Sequence, residues 1–195
     1  MIDSGASLCY YGDPILRKIC RPITVITNKI RQLTQNMIAI MDKHDGVGLA
    51  APQVGRDIRL FVLRNYINLE NDKWKLSDPR VYINPKLSFP RKNQVVEEEE
   101  GCLSIPKLLY KVTRADFVVI EALDLNGNPF TEKMDGYNAR VRMHENDHLN
   151  GVLFIDHLDA KTRREIKPLL KEIKKKYHLN KDIAAVKRLS LGRRS

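Results

Sequence analysis

Two histidines four residues apart, His144 and His148, with Glu145 directly after the first, constrain this chain more than any other feature. Both rings reach one metal ion only if the segment is helical, because a helix stacks residues i and i+4 on one face. Glu145 then lies about 100° around the helix from His144, placed to hold a metal-bound water and not the metal itself. Val141, His144, His148 and Val152 follow helical spacing, so the histidines share a stripe with valines. Unpartnered imidazoles on a buried stripe are costly, and a metal removes that cost. Gly151 offers a helix stop just beyond. An ordinary helix that happens to carry two histidines requires neither this framing nor a third ligand. The segment points to a metal-dependent hydrolase.

The third ligand separates the possible classes. One extended pattern takes it from a histidine three residues after a glycine; here Gly151 is followed by Phe154, which cannot bind a metal. Another class takes a glutamate roughly 20 residues downstream. Glu165 and Glu172 are the candidates, but both lie in a strongly basic amphipathic segment that reads as surface. The remaining option is upstream, Cys102 within Glu100-Gly101-Cys102-Leu103-Ser104.

Three blocks stand in order: Gly46-Val47-Gly48-Leu49-Ala50-Ala51-Pro52-Gln53, then Glu100-Gly101-Cys102-Leu103-Ser104, then His144-Glu145-Asn146-Asp147-His148-Leu149-Asn150-Gly151. Together they resemble the three signature motifs of the bacterial-type peptide deformylases. Gly12-Asp13-Pro14-Ile15-Leu16-Arg17 is similar to that family's N-terminal segment, and Asp124-Leu125-Asn126-Gly127 to its hairpin, so the likeness spans about residues 8–160. Two positions depart from the pattern. Met143 stands where the family usually has glutamine, and Lys107-Leu108-Leu109 follows the second block where an arginine is common.

The resemblance implies the chemistry. Cys102, His144 and His148 are the expected metal ligands, Glu145 the general base, and the Gln53 amide and Leu103 backbone N–H the donors to a developing oxyanion. The expected reaction removes the formyl group from N-formylmethionine on newly made polypeptides and releases formate. A thiolate with two imidazoles suits zinc, nickel or cobalt as well as iron; the family implies Fe2+. Gly46 and Gly48 let a substrate backbone lie close in extended pairing. Gly101 joins Val47 and Gly48 as a substrate-binding candidate, and Val47, Tyr137 and Val141 are candidate walls for the methionine side chain. Asp147 lies off the line joining the histidines and reads as a salt-bridge partner. Glu100 either extends the acidic run 97–100 or anchors an arginine such as Arg114. Arg140 and Arg142 read as solvating their helix, and His44, His157 and His178 as structural.

Charge divides the chain. Residues 161–195 hold thirteen Lys and Arg against three Asp and Glu, which accounts for the whole net charge of +10. The expected organisation is therefore a catalytic domain over 1–178 and a basic tail over 179–195. Such a tail is either a solvated helix face or a contact with a polyanion, and the family resemblance implies docking on the ribosome. Three cysteines at irregular spacing argue against a disulfide framework and for a reducing compartment. No apolar run approaches the roughly 18 residues of a membrane span, and neither a secretory signal nor an Arg-rich presequence is visible. The expectation is a cytoplasmic enzyme with no membrane and no DNA role. Two rivals remain: a zinc endopeptidase built on the same helix, and a nucleic-acid-binding protein whose metal is structural.

Patterning places the motifs in an α+β fold, with antiparallel strands around one central metal-bearing helix, in a single domain ending in a C-terminal helix. Helices are expected over 28–43, 137–150 and 162–177, the last with a Thr162–Glu165 capping box and an awkward internal Pro168. Strands are expected over 58–63, 81–84, 117–125 and 129–134, the last two joined at Asn126-Gly127. Gln94-Val95-Val96 leads into the acid run 97–100, which, Glu100 apart, reads as a solvated strand edge, and 65–79 reads as a polar loop.

Overall fold

The structure, a computed structural model, describes residues 7–70, 73–90 and 94–191, with side chains as far as 176. The chain runs α1 (Asn28–Lys43), β1 (Gly48–Ala50), β2 (Leu60–Leu63), β3 (Tyr66–Asn68), β4 (Trp74–Leu76), β5 (Arg80–Ser88), β6 (Val95–Cys102), β7 (Ile105–Ala115), β8 (Phe117–Leu123), β9 (Pro129–Asp135), α2 (Gly136–Leu149) and α3 (Ala160–Leu191). Single 3-10 turns occupy Pro14–Arg17, Ala51–Val54 and Phe154–His157.

Five antiparallel strands form the main sheet in the order β1-β2-β5-β8-β9. Side chains alternate across a strand, and β2 uses both faces. Leu60 and Val62 join Met37 and Met41 of α1, while Phe61 and Leu63 join Val141 and Leu149 of α2. The sheet is thus covered on one side by α1 and on the other by α2. On the far side of α2 lies a long two-stranded ribbon, β6–β7, whose Ile105, Leu108 and Val112 pack with Phe154 and with Ile166, Leu170 and Ile173 of α3. The α2 helix is enclosed between sheet and ribbon, which is why nine of its residues are buried without an amphipathic pattern.

The α+β expectation holds, with differences that have physical causes. Residues 65–79 are not a loop: β3 and β4 pair as a small hairpin. Strand β5 continues through Pro85 to Ser88, because a register shift between Ile83 and Lys86 takes the proline out of regular pairing. Between β8 and β9, Leu125, Asn126 and Gly127 form a three-residue loop with Gly127 at φ +83, fastened by Asp124, whose carboxylate accepts from the Asn126 and Asn128 N–H groups. The cap of α3 is Asp159, whose carboxylate accepts from the backbone N–H groups of Lys161 and Thr162 and from the Thr162 hydroxyl, so no Thr162–Glu165 box forms. Pro168 sits inside a continuous α3. It and Arg164, whose carbonyl it deprives of its regular helical N–H, are both exposed, on the side of the helix away from the core. The helical backbone runs on to Leu191, across the expected 178/179 boundary; the His178 side chain and those of the basic tail lie outside the described side chains. Among the described residues no helix is long and apolar enough to cross a membrane.

Candidate active site

Helical spacing brings the His144 and His148 rings together, with centroids 5.1 Å apart. The third donor arrives from β6, where alternation turns Glu100 and Cys102 inward and leaves Gly101 exposed. At that point pairing jumps from Gly101↔Leu109 to Cys102↔Ile105, and Lys107, in the extra length of β7, takes a φ of +65. This bulge ends the regular ribbon beside α2. The donor atoms of Cys102, His144 and His148 all lie within 4.8 Å of one another, with Cys102 Sγ 3.3 Å from His148 Nε2. Donors around one tetrahedral ion with bonds of about 2.0–2.3 Å stand about 3.5 Å apart, so the group fits a single transition-metal cation. Neither Glu165 nor Glu172 belongs to it; both are exposed on α3. Phe154, at the position of the extended pattern's histidine, instead stacks near the His144 ring with centroids 6.1 Å apart.

The surroundings fix the ligands. His144 Nδ1 lies 2.9 Å from Glu100 Oε2, which leaves its Nε2 for the cation. Glu100 also accepts from Arg114 Nη2 at 2.9 Å and Arg140 Nη1 at 2.7 Å, and Arg140 holds the Val112 and Val96 carbonyls. Arg140 and Arg142 therefore do not solvate their helix; both are buried. Arg142 donates to the Asn138 carbonyl, Asn65, the Tyr82 hydroxyl and Glu132. Burial alone would raise the Glu100 carboxyl, but the hydrogen bonds from His144 and Arg114 outweigh it and hold the group far below the usual carboxylate range. Asp147 is the expected salt-bridge partner, 2.8 Å from Arg114 Nη1 and 2.8 Å from His157 Nε2. Against burial, His148 and His144 bring the Cys102 thiol down to about 5, and Cys102 and Glu100 in turn hold His144 well above its ordinary value. A thiol prepared in this way is suited to bind a metal as thiolate.

Glu145 is buried, its carboxyl pushed up to about 7 by that burial, and its Oε2 has no protein partner. Gly48 leaves the space its carboxylate fills: a β-carbon there would overlap Glu145 Oε1. Gln53, held in the turn after β1, is buried and not a surface turn residue. Its Oε1 accepts from the Ala50 N–H at 2.8 Å, so Nε2 is turned toward Cys102, 3.4 Å from its Sγ, and 3.3 Å from Ser104 Oγ. Val47, Gly48, Gln53, Gly101, Cys102, Leu103, Tyr137, Val141, His144 and Glu145 all line one cleft of about 980 Å³. His148 lies behind them, fully buried. Every expected site residue is therefore at or against one cavity. Patterning missed Arg140, Arg114's second contact and Tyr66, which also lines the cleft. An arginine beside valine on the metal-bearing stripe was the available signal for the first.

Residues 6–164 match the family model described as polypeptide deformylase. The chain belongs to the peptide deformylase family. A peptide deformylase of Borreliella burgdorferi is 42% identical over 166 residues, covering 85% of this chain and 95% of that one. Among solved structures, plant peptide deformylase PDF1B superposes with a TM-score of 0.79 at 34% identity, covering 92% of this chain and 95% of the other. The peptide deformylase from Thermus thermophilus does so at 0.75 and 34%, covering 87% and 98%. Peptide deformylases are metalloenzymes, and among the described residues Cys102, His144 and His148 are the group that fits an ion.

Proposed function

We propose that this chain hydrolyses the formyl amide at the N-terminus of N-formylmethionyl peptides, releasing formate and a free amine. The observation that carries the reading is Glu145 Oε2, buried and unpartnered at a cleft that also offers Gln53 Nε2 beside Cys102. Cys102, His144 and His148 would hold the cation, which when bound supplies Lewis-acid polarisation and a lowered pKa for water at the site. Glu145 accepts the proton of the attacking water and returns it to the departing amine; a carboxyl near 7 suits a group that must do both. Gln53 Nε2 and the Leu103 N–H donate to the formyl oxygen as it gains charge. The substrate strand lies beside β1, where Gly48 permits close approach, and Gly101 borders its path. Val47, Tyr137 and Val141 receive the first side chain.

The endopeptidase reading is disfavoured, since it needs Glu165 or Glu172 as a ligand and neither stands near the histidines. Ferrous iron is the proposed native ion, with zinc, nickel or cobalt as substitutes, in a bacterial cytoplasm. The nascent chain is the proposed partner, and the basic tail from 179 onward is proposed to contact the ribosome. The deciding assay is formate release from a formyl-Met peptide, with metal analysis of protein purified without oxygen. No formate from a metal-loaded sample, or cleavage of an unformylated internal peptide instead, would overturn the proposal.

A further inference from the structure

We propose that Tyr66, carried on the β3–β4 hairpin, is the end wall of the pocket for the substrate's first side chain, and that the hairpin sets which side chains fit. This rests on the deformylase reading. Two of the three candidate walls, Val47 and Tyr137, are tied to the Tyr66 segment. Val47 accepts from the Arg64 N–H at 2.8 Å, two residues before it. Asn138, directly after Tyr137, brackets its backbone: Oδ1 accepts from the Tyr66 N–H at 2.9 Å, and Nδ2 donates to the Tyr66 carbonyl at 3.0 Å. The Tyr66 ring meets Tyr137 edge-on at 5.0 Å and Trp74 at 5.0 Å. Tyr66, Tyr137, Val47 and Val141 line the same cleft.

The hairpin outside this clamp has little to hold it. Among the described residues it pairs with no other strand, and Ile67, Leu69, Trp74 and Leu76 are exposed, Trp74 by 59%. Two strands alone are marginal in water, so the position of Tyr66 rests on the Asn138 clamp, on the bonds that join Asn65 and Arg64 to Ser77 at the hairpin's base, on the Arg142–Asn65 bond of 2.9 Å and on Trp74 beside the ring. Pairing of Tyr66 with Leu76 and of Asn68 with Trp74 puts Tyr66 and Trp74 on one face of the hairpin. A pocket closed by aromatic edges accepts a long, unbranched, polarisable side chain such as a thioether and stops a phenyl ring.

The test compares kcat/KM for formyl-peptides that differ only in a first residue of Met, norleucine or Phe, using metal-loaded protein. In Tyr66→Ala the Phe-to-Met ratio should rise about tenfold or more, the scale on which pocket contacts discriminate, with the loss on Met expressed in KM. Trp74→Ala should shift the ratio the same way by a smaller factor, and Tyr66→Phe should keep the original ratio. Equal falls on all three substrates, or an unchanged ratio in a metal-retaining Tyr66→Ala, would refute the assignment. Should Tyr66→Ala not fold, the ratio in Trp74→Ala decides it in the same sense. Failure of the unmodified chain to release formate from any of the peptides is a separate result and refutes the activity instead.

Discussion

Gly48→Ala isolates the general base without touching a ligand. Gly48 is ordinary strand backbone in β1, so alanine meets no backbone strain there. Its β-carbon would instead overlap Glu145 Oε1 and stand 2.8 Å from Glu145 Cδ and 2.9 Å from Cγ. Rotating the carboxylate relieves only the oxygen; the two carbons must retreat by about 1 Å to reach ordinary contact of about 3.8 Å. Glu145 is 4% exposed on a helix packed between sheet and ribbon, so the room left to it is the cleft itself, and a retreat there carries the carboxylate off its place. Misplacement by about 1 Å costs on the order of 10²-fold, and full loss of a general base about 10²–10⁴-fold. The expected fall in kcat/KM on a formyl-Met peptide is therefore at least about a hundredfold, or roughly 2.7 kcal/mol of transition-state stabilisation. Overpacking should also cost about 1–3 kcal/mol of stability. Cys102, His144 and His148 are not displaced, so metal content should match the unmodified protein. Near-normal turnover in Gly48→Ala, or a loss of activity that tracks a loss of metal, would refute the placement of the base.

Other substitutions probe the rest of the site. Glu145→Gln should keep the metal and lose activity by about 10²–10⁴-fold, read by metal analysis beside formate release. Arg114→Ala leaves Glu100 and Asp147 partly uncompensated in a buried setting and should destabilise the metal-free protein by about 3–5 kcal/mol in denaturant unfolding. Because Glu100's folded pKa is depressed, its contribution to stability is full above the unfolded value near 4.3 and is lost as pH falls toward the folded one. Glu100→Gln should therefore flatten the acid limb of a stability–pH curve for metal-free protein. Iodoacetamide should label Cys102 of metal-free protein down to about pH 5 and slow below it, while Cys20, buried and pushed up to about 11, stays unlabelled in the folded state; bound metal should protect Cys102. Removing residues 179–195 should spare turnover of a small formyl-peptide and weaken salt-sensitive ribosome binding; unchanged binding in low salt counts against the ribosome proposal.

The histidine pair was legible because its pattern is local, two rings one helical turn apart; Cys102, 42 residues upstream, was reached by elimination and by the family resemblance, because no local period ties it to them. Helix α1 was legible to its bounds, since Met37 and Met41 fall on one stripe and Gly46 follows. Arginines 140 and 142 were not, because their burial depends on Glu100, Glu132 and Tyr82 arriving from other strands, which no helical period encodes. Residues 65–79 read as loop because a two-stranded hairpin hides no face in the core and so leaves no strong alternation. Asp159 caps α3 in place of Thr162 because the helix begins earlier, at Ala160: the Asp159 carboxylate accepts from the Lys161 and Thr162 N–H groups, and the Thr162 hydroxyl is taken up as a further donor to it.

The burial of so much charge around α2 follows from what the ligands require. An apolar residue of similar volume at Glu100 would be neutral or even stabilising only if Arg114 and Arg140 went with it. It would also free the His144 ring to turn and choose either tautomer, and such partners of a metal ligand are typically worth about 10–100-fold in metal affinity. Arg140 shows the coupling most directly. It grips Glu100 and, through the Val96 and Val112 carbonyls, both strands of the ribbon that delivers Cys102. One guanidinium therefore registers the cysteine-bearing strand against the histidine-bearing helix. In Arg140→Met metal affinity should fall by about tenfold or more even if the folded state is preserved, because the substitution loosens the distance between ligands and not the ligands themselves. Unchanged affinity in a folded Arg140→Met would mean that the ribbon is positioned by its apolar packing alone.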